Sequence, residues 1–141
     1  MTGLEQLQGW MLAGQKFPIG ETLKFKLVEV EHGRARFEGV PGEHAYGPGV
    51  VVHGGYAATL LDAACACAVH SSLDAGQSNT TLELKVAYHR ALTSDSGLVR
   101  AEGKLVSLGK RVAYAEARLI DSNGTLCASA TSTLLVLERK S

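Results

Sequence analysis

The first strongly patterned region of the chain begins at Thr22, where hydrophobic and polar residues start to alternate. Alternation of this kind predicts a half-buried strand. The hydrophobic positions change side between Leu27 and Val28, which predicts a bulge. Gly33 follows as a turn residue, and a second strand then continues around Phe37. The N-terminal part of the chain is therefore expected to form an antiparallel hairpin.

Two segments have helical rather than strand spacing. Leu4, Leu7 and Met11 recur at helical intervals in a short opening segment that ends before Pro18. The segment from residue 54 to about residue 73 contains no proline, is rich in alanine and leucine, and is apolar on nearly every face. We expect a short helix that covers the core and one long, buried helix.

Four further alternating segments follow the long helix, and an Asn123–Gly124 pair predicts a two-residue hairpin between the last two. A single helix with no polar face needs a surface that covers it almost completely, which a curved antiparallel sheet provides. The order of elements predicts an α+β hotdog fold, in which a curved antiparallel sheet wraps around one long central helix. The four segments are Leu82–Tyr88, Val99–Leu105, Ala113–Leu119 and Leu126–Val136.

The composition limits the class of protein. A length of 141 residues suits one core, so we expect a single domain over residues 1–141. Lys and Arg together number 14, as do Asp and Glu, and this balance leaves no global field to attract nucleic acid or an anionic membrane. The N-terminus lacks a basic and apolar leader, and no apolar stretch approaches roughly 20 residues. We expect an untargeted, soluble protein.

The cysteines favour a reducing cytoplasm, because their number is odd and two of them lie within the alanine-rich helix. Cys65 and Cys67 are two positions apart, so on a helix they point about 200° apart and cannot bind one metal together. The histidines and acidic residues also lack zinc-site spacing. We expect packing cysteines and no metal.

Asp62 breaks the apolar pattern of the long helix, since it lies among Leu60, Leu61, Ala63 and Ala64. A carboxylate in such surroundings costs several kcal/mol of desolvation unless it is paired or opens onto a cleft. It is either a structural residue that accepts from a buried donor, or a general base or nucleophile.

The sequence His53–Gly54–Gly55 marks the start of the same helix. Two glycines let a substrate approach the first turn, whose unpaired amides and positive dipole end favour negative charge on an oxygen atom. A plain transition from loop to helix would also use glycine. Asp62 follows His53 by nine positions, and the combination is more specific than either part: it predicts an oxyanion site served by a carboxylate.

These motifs resemble the phenylacetate-pathway and 4-hydroxybenzoyl-CoA branches of the hotdog thioesterases. The resemblance covers residues 44 to 137 and includes the runs VVHGGYAATLLDAACACA, TTLELKVAYHRAL and LGKRVAYAEARLIDSNGTLCASATSTLLV. It implies hydrolysis of an acyl-CoA thioester without a cofactor, since coenzyme A is part of the substrate. It also implies that Asp62 acts as base or nucleophile, that the Gly54 amide holds the carbonyl oxygen, and that Thr81 or Thr80 assists.

Three positions depart from the family pattern. The family usually carries Asn or Gln at the position of Gly47, Asn at that of Ala87 and Pro at that of Ala91. The first departure matters most, because the missing amide helps to position the reacting groups. Either His44, Tyr46 or a water molecule supplies the missing hydrogen bond, or catalysis is weak.

Coenzyme A carries phosphates, so a chain with no net charge needs local cations to hold it. The resemblance places the CoA near a strand end and a turn, although each basic residue there is also explained as a solvated surface charge. The residues concerned are His89, Arg90, Gly109, Lys110 and Arg111, and we expect further substrate contacts from Gly47, Tyr46, Gly55 and Thr80. The acyl group stays open between aryl and medium-chain, because the following residues suit an aryl pocket or an ordinary core: Trp10, Met11, Tyr46 and Tyr56.

Two other functions suit the same fold: a non-catalytic acyl-CoA-binding or sensing protein, and a dehydratase or isomerase of a CoA ester. Asp62 argues against the first, and the absence of dehydratase motifs argues against the second. Gly54 and Asp62 are eight residues apart, which is about 12 Å along a helix. One thioester carbon cannot contact both, so we expect at least a homodimer, and further a dimer of dimers, with each site shared between two chains.

Overall fold

The structure is a computed structural model that describes residues 1–14 and 17–138. Its helices, in chain order, are α1 (Gly3–Leu12), α2 (Pro18–Leu23) and α3 (Gly54–His70), with a short 3₁₀ helix at Glu43–Ala45. Its strands are β1 (Phe25–Glu31), β2 (Arg34–Gly39), β3 (Gln77–Tyr88), β4 (Val99–Leu108), β5 (Val112–Ile120) and β6 (Leu126–Glu138).

The six strands form one antiparallel sheet in the order β1-β2-β4-β5-β6-β3, and α3 packs against its inner face. Small side chains let the helix and sheet approach closely. A Cβ added at Gly103 of β4 would lie 2.2 Å from the Ala64 carbonyl oxygen of α3, so only glycine fits there. The α+β hotdog fold, with a curved sheet around one central helix, is confirmed.

The predicted N-terminal hairpin is confirmed together with its bulge, which lies between Leu27 and Glu29. The bulge reverses the side-chain parity, so that Phe25 before it and Val30 after it are both buried. The predicted start of the first strand at Thr22 is wrong. That residue belongs to α2, which begins at Pro18, and β1 starts only at Phe25.

The opening helix α1 is also confirmed. Its N-terminus carries a capping box, in which Thr2 and Glu5 each accept a hydrogen bond from the backbone amide of the other. The helix covers the core with Leu7, which is almost completely buried. Trp10 is partly exposed and meets Phe17 edge to face. This helix therefore closes one end of the core.

The long helix is less completely covered than its sequence predicts. A stripe of small or short residues at helical spacing is only partly buried within this chain: Ala58, Thr59, Asp62, Ala63 and Ala66. Asp62 of this stripe contacts β3, and so does Ala66, whose carbonyl accepts from Asn79. Since β3 is the last strand of the sheet, no further strand formed by the described residues extends over the stripe.

The hairpin between β5 and β6 forms where the sequence predicts it, but the two-residue turn is wrong. Five residues, 121 to 125, separate the strands. One carboxylate oxygen of Asp121 accepts from the amides of Asn123 and Thr125, and Gly124 adopts a left-handed φ of 81°. The Asp121 side chain therefore stabilises a longer turn. Among the described residues no helix is both long and apolar enough to cross a membrane.

Candidate active site

The Asp62 carboxylate lies in the middle of α3 and faces β3. The Thr81 hydroxyl donates to its Oδ1 atom over 2.8 Å. Both residues are half-buried, so Asp62 is not enclosed in the core as its neighbours in sequence predict. The carboxylate is oriented by one neutral donor, and among the described residues no other hydrogen-bond partner reaches it. Its second oxygen is therefore available to a water molecule or a substrate.

Thr80 and Thr81 point to opposite faces of the sheet. Thr81 pairs with the buried Leu134 on the inner face, whereas Thr80 pairs with Leu135 on the outer face and is exposed. Only Thr81 can contact α3. The resemblance allows either threonine as the assisting residue, and of the two it is Thr81 whose hydroxyl reaches the Asp62 carboxylate.

His53 is the N-cap of α3. Its Nδ1 atom accepts a hydrogen bond from the Gly55 amide over 2.8 Å. The neutral ring then carries its proton on Nε2. A Cβ at Gly55 would lie only 2.9 Å from Nδ1, so glycine is needed here for the cap rather than for the approach of a substrate. The Gly55 amide is consequently occupied.

The Gly54 amide is placed differently from its neighbour. Within the part of the chain that the structure describes, no acceptor is found for it. It lies at the first position of a helix of 17 residues, where the positive end of the helix dipole adds to the attraction for negative charge. This arrangement suits one oxyanion donor.

Tyr88, at the end of β3, is a site residue that the sequence analysis missed. Its hydroxyl donates to the Gly54 carbonyl over 2.7 Å. The sequence signal was only an apolar position at the end of an alternating strand, and the partner is 34 residues away. Periodicity reports which face a residue occupies and not which distant backbone group it meets.

A cavity of about 330 Å³ opens beside this helix N-terminus. His53, Gly54, His89 and Arg90 all line it, and the buried residues of its lining are apolar. The His89 Nε2 atom is within 2.8 Å of the Ser129 hydroxyl, so this ring is held at the rim. The remaining lining residues are Val51, Val52, Ala57, Tyr88, Ala91, Leu92, Leu119, Cys127 and Ala128.

The other predicted CoA-binding residues lie elsewhere. The turn of Gly109, Lys110 and Arg111 joins β4 to β5, and the Arg111 carbonyl accepts from the Val136 amide. Since Val136 pairs with Asn79 of β3, this turn lies at the Asn79 end of the sheet. His89 follows the opposite end of the same strand. One chain therefore does not bring the two basic groups together.

Gly47 lies close to the helix N-terminus, since a Cβ there would be 3.9 Å from the His53 ring. The amide side chain that the resembled family usually carries at this position would therefore lie near His53. His44 does not replace it, because its Nε2 atom contacts the Leu23 carbonyl at 2.9 Å. Tyr46 forms an isolated backbone bridge with Val52, and no hydrogen bond of its side chain is found among the described residues.

The cysteines do not offer a nucleophile. All three are free and buried. Burial, helped by the nearby carboxylates of Asp62 and Glu116, raises the pKa of the Cys65 thiol to about 12, and burial alone raises the pKa of Cys67 to about 12. Among the described residues no group of three His, Cys, Asp or Glu side chains could hold a metal ion.

The aromatic residues considered for an acyl pocket are dispersed. Tyr56 is buried, and its ring meets that of His44. Trp10 packs on Phe17 near the opening helix. None of the four residues Trp10, Met11, Tyr46 and Tyr56 lines the cavity beside Gly54. In that cavity Tyr88 supplies the aromatic ring instead.

Three comparisons relate this chain to known proteins. One relative is a curated protein from Saccharolobus solfataricus, and its name ascribes esterase activity to it. Its sequence is 29% identical to this chain over an alignment that covers 81% of this chain and 73% of the relative. One solved structure is that of a phenylacetic acid degradation-related protein from Ralstonia eutropha JMP134, to which a thioesterase function is ascribed. It superposes on this chain with a TM-score of 0.79 and 28% sequence identity, and the match covers 90% of this chain and 97% of that protein. A Streptococcus pneumoniae TIGR4 protein solved with coenzyme A is 20% identical with a TM-score of 0.76, covering 86% and 92%, which shows the shared fold alone.

The family model of the thioesterase superfamily matches residues 49–128, more than half of the 141 residues. This range includes His53, Gly54, Asp62 and Thr81. The prediction of an acyl-CoA thioesterase is thereby confirmed at the level of thioester hydrolysis. The chain belongs to the thioesterase superfamily.

Proposed function

We propose that this enzyme hydrolyses an acyl-CoA, with an aryl or medium-chain acyl group, to the free carboxylic acid and CoA. The observation that carries the proposal is the hydrogen bond of 2.8 Å from Thr81 to the Asp62 carboxylate, on the face of α3 that this chain leaves partly open. A carboxylate held in one orientation, with one oxygen left for water, suits a general base or a nucleophile.

The chemistry uses the Gly54 amide at the start of α3 and the Asp62 carboxylate in the middle of the helix. The Gly54 amide donates to the thioester carbonyl oxygen and stabilises the negative charge that develops there. Asp62 either takes a proton from the attacking water or attacks the carbonyl carbon itself, and in the second case water then cleaves the anhydride. The carbon–sulfur bond breaks, CoA leaves as the thiolate and takes up a proton, and the acid is released. No cofactor is needed.

The site is completed by a second copy of the chain. Gly54 and Asp62 are eight residues apart on one helix, which separates them by about 12 Å. A two-fold dimer with antiparallel α3 helices brings the Asp62 of one chain to the Gly54 of the other. The partly covered stripe of α3 and the neighbouring edge strand β3 offer the surface for this contact, and β3 exposes Leu82 there.

The two basic groups suit the same dimer. In one chain His89 and Arg90 lie near Gly54, whereas Lys110 and Arg111 lie at the other end of the sheet. In an antiparallel pair of chains, Lys110 and Arg111 of one chain lie on the same side as His89 and Arg90 of the other chain. Cations from both chains then bind the CoA phosphates. The Streptococcus pneumoniae protein solved with coenzyme A supports this class of ligand for the fold.

An assay of a panel of aryl and aliphatic acyl-CoAs, followed through the free thiol released, tests the proposal. Asp62→Asn should lower kcat by on the order of 10² or more and leave substrate binding unchanged, because it removes the charge with little change of volume. Asp74→Asn is the matched control, since Asp74 is exposed. Near wild-type turnover by Asp62→Asn would refute the catalytic role. Binding of acyl-CoA without any hydrolysis would favour the sensing function.

A further inference from the structure

One peptide group at the helix N-terminus is held by side chains at both of its polar atoms. The carbonyl of the Gly54–Gly55 peptide accepts from the Tyr88 hydroxyl over 2.7 Å, and its amide donates to His53 Nδ1 over 2.8 Å. The first turn of a helix is usually satisfied by one cap. Here two side chains from different elements fix a single peptide plane.

The adjoining amide is the proposed oxyanion donor, and it belongs to the residue with the greatest backbone freedom. Gly54 lacks a Cβ, so rotation about its backbone bonds is restricted far less than at other residues. An oxyanion donor must lie within about 2.7–3.1 Å of the developing charge to be effective. The peptide that carries this amide is restrained at its other polar atom, because the His53 carbonyl accepts from the Tyr56 amide over 3.0 Å. A glycine at this position gains from a further restraint on the peptide that follows it.

Tyr88 supplies such a restraint by contact as well as by its hydrogen bond. A Cβ at Gly54 would lie 3.1–3.4 Å from three atoms of the Tyr88 side chain, so the ring lies directly against the Gly54 Cα. Tyr88 is nevertheless 56% exposed. Its side chain contributes little to the core, and the Gly54 carbonyl is the hydrogen-bond partner found for it among the described residues.

We propose that Tyr88 is a positioning residue for thioester hydrolysis, whose hydroxyl fixes the Gly54–Gly55 peptide and thereby the direction of the Gly54 amide. The inference rests on the proposed role of that amide. It concerns the hydroxyl group in particular, because a phenylalanine ring would fill the same space and leave the carbonyl without this donor.

The test compares Tyr88→Phe with wild type in the acyl-CoA hydrolysis assay. A less well oriented oxyanion donor should lower kcat about five- to tenfold and change KM by less than twofold, because the restraint acts on the transition state more than on binding. Tyr114→Phe is the matched control: Tyr114 is another exposed strand tyrosine, 49% accessible, and its kcat should equal that of wild type. The melting temperatures of both variants should stay close to that of wild type.

A second variant, Tyr88→Leu, removes the ring too and should lose at least as much kcat. An active wild type with unchanged kcat in Tyr88→Phe would overturn this inference and leave the proposed function intact. A raised KM at constant kcat would also overturn it, because Tyr88 would then be a wall of the substrate pocket. A wild type that hydrolyses no acyl-CoA would overturn the proposed function and the inference together.

Discussion

Thr80 and Thr81 are identical residues with different surroundings. The Thr81 hydroxyl faces α3 and donates to Asp62, whereas Thr80 lies on the outer face and is exposed. A bulge follows between Thr81 and Glu83 and shifts the register of β3 against β6. The position of that bulge decides which later residues of the strand face the helix.

Thr81→Val should lower kcat by about tenfold, or about 1.4 kcal/mol, because valine has nearly the same shape and cannot orient the carboxylate. Thr80→Val changes the same group on the other face and should keep kcat within twofold of wild type. Steady-state kinetics of both variants, with circular dichroism to check folding, provide the measurement. Equal kinetic effects of the two substitutions would contradict the role of Thr81.

Part of the site was predictable from single residues. An acid inside an apolar helix and a His-Gly-Gly sequence at its start both stand out against their neighbours. The choice between Thr80 and Thr81 was not predictable, because it depends on strand register. Nor was the contact of Tyr88 with Gly54, since a hydrogen bond over 34 residues depends on how β3 packs beside α3.

At the scale of elements, long periodic segments were predictable and short ones were not. All six strands and the two longer helices follow from hydrophobic spacing. Helix α2 has only six residues, fewer than two helical turns, so its pattern cannot be distinguished from alternation. The β5–β6 turn was misjudged because the Asp121 side chain, outside the Asn-Gly pair, determines its length.

Helix α3 also makes the fold sensitive to alkaline pH through Cys65 and Cys67. Each thiol has a pKa of about 12 in the folded chain against an ordinary value of 9.0. The folded state therefore binds a proton more tightly than the unfolded state. This difference in proton affinity stabilises the folded state to its full extent below pH 9. The stabilisation is lost as the pH rises from about 9 to about 12.

We expect the free energy of unfolding to fall with pH above 9, by up to about 1.4 kcal/mol per pH unit for each thiol. Cys67→Ala removes one of them and should reduce the slope by that amount. Urea unfolding of both proteins at several pH values between 8 and 11 measures the slopes, which do not depend on any constant loss of stability in the variant. Identical slopes would mean that the Cys67 thiol does not titrate differently in the two states.

At the scale of the whole molecule, the predicted residues separate into two groups. Gly54, His53 and the rim of the cavity lie toward the start of α3, and Asp62 with Thr81 lies in the middle of the helix against β3. Each group holds one part of the proposed site, the oxyanion donor or the carboxylate. In the proposed dimer, the second copy of the chain supplies the part that each group lacks.

Mixing two inactive variants tests the shared site. An Asp62→Ala chain retains Gly54, and a Gly54→Pro chain retains Asp62 but has no amide proton at position 54. After random exchange, half of the dimers combine the two variants and hold one intact site of two, so about a quarter of wild-type activity should return. Each variant must first be shown to fold and to dimerise.

The mixed dimers themselves are quantified by mass spectrometry of differently tagged chains. Subunit exchange without recovered activity would mean that each chain builds its own site. Gly54 and Asp62 of one chain would then have to act on different atoms of the same substrate.

The contact between Tyr88 and Gly54 has an evolutionary consequence. Any side chain at position 54 would meet the Tyr88 side chain at 3.1–3.4 Å, so a residue other than glycine there requires this exposed side chain to shift by a few tenths of an ångström. A larger residue at the helix start is therefore accommodated more easily when the residue at the end of β3 is smaller or turned away. We therefore expect positions 54 and 88, which are 34 residues apart in the sequence, to covary among related sequences.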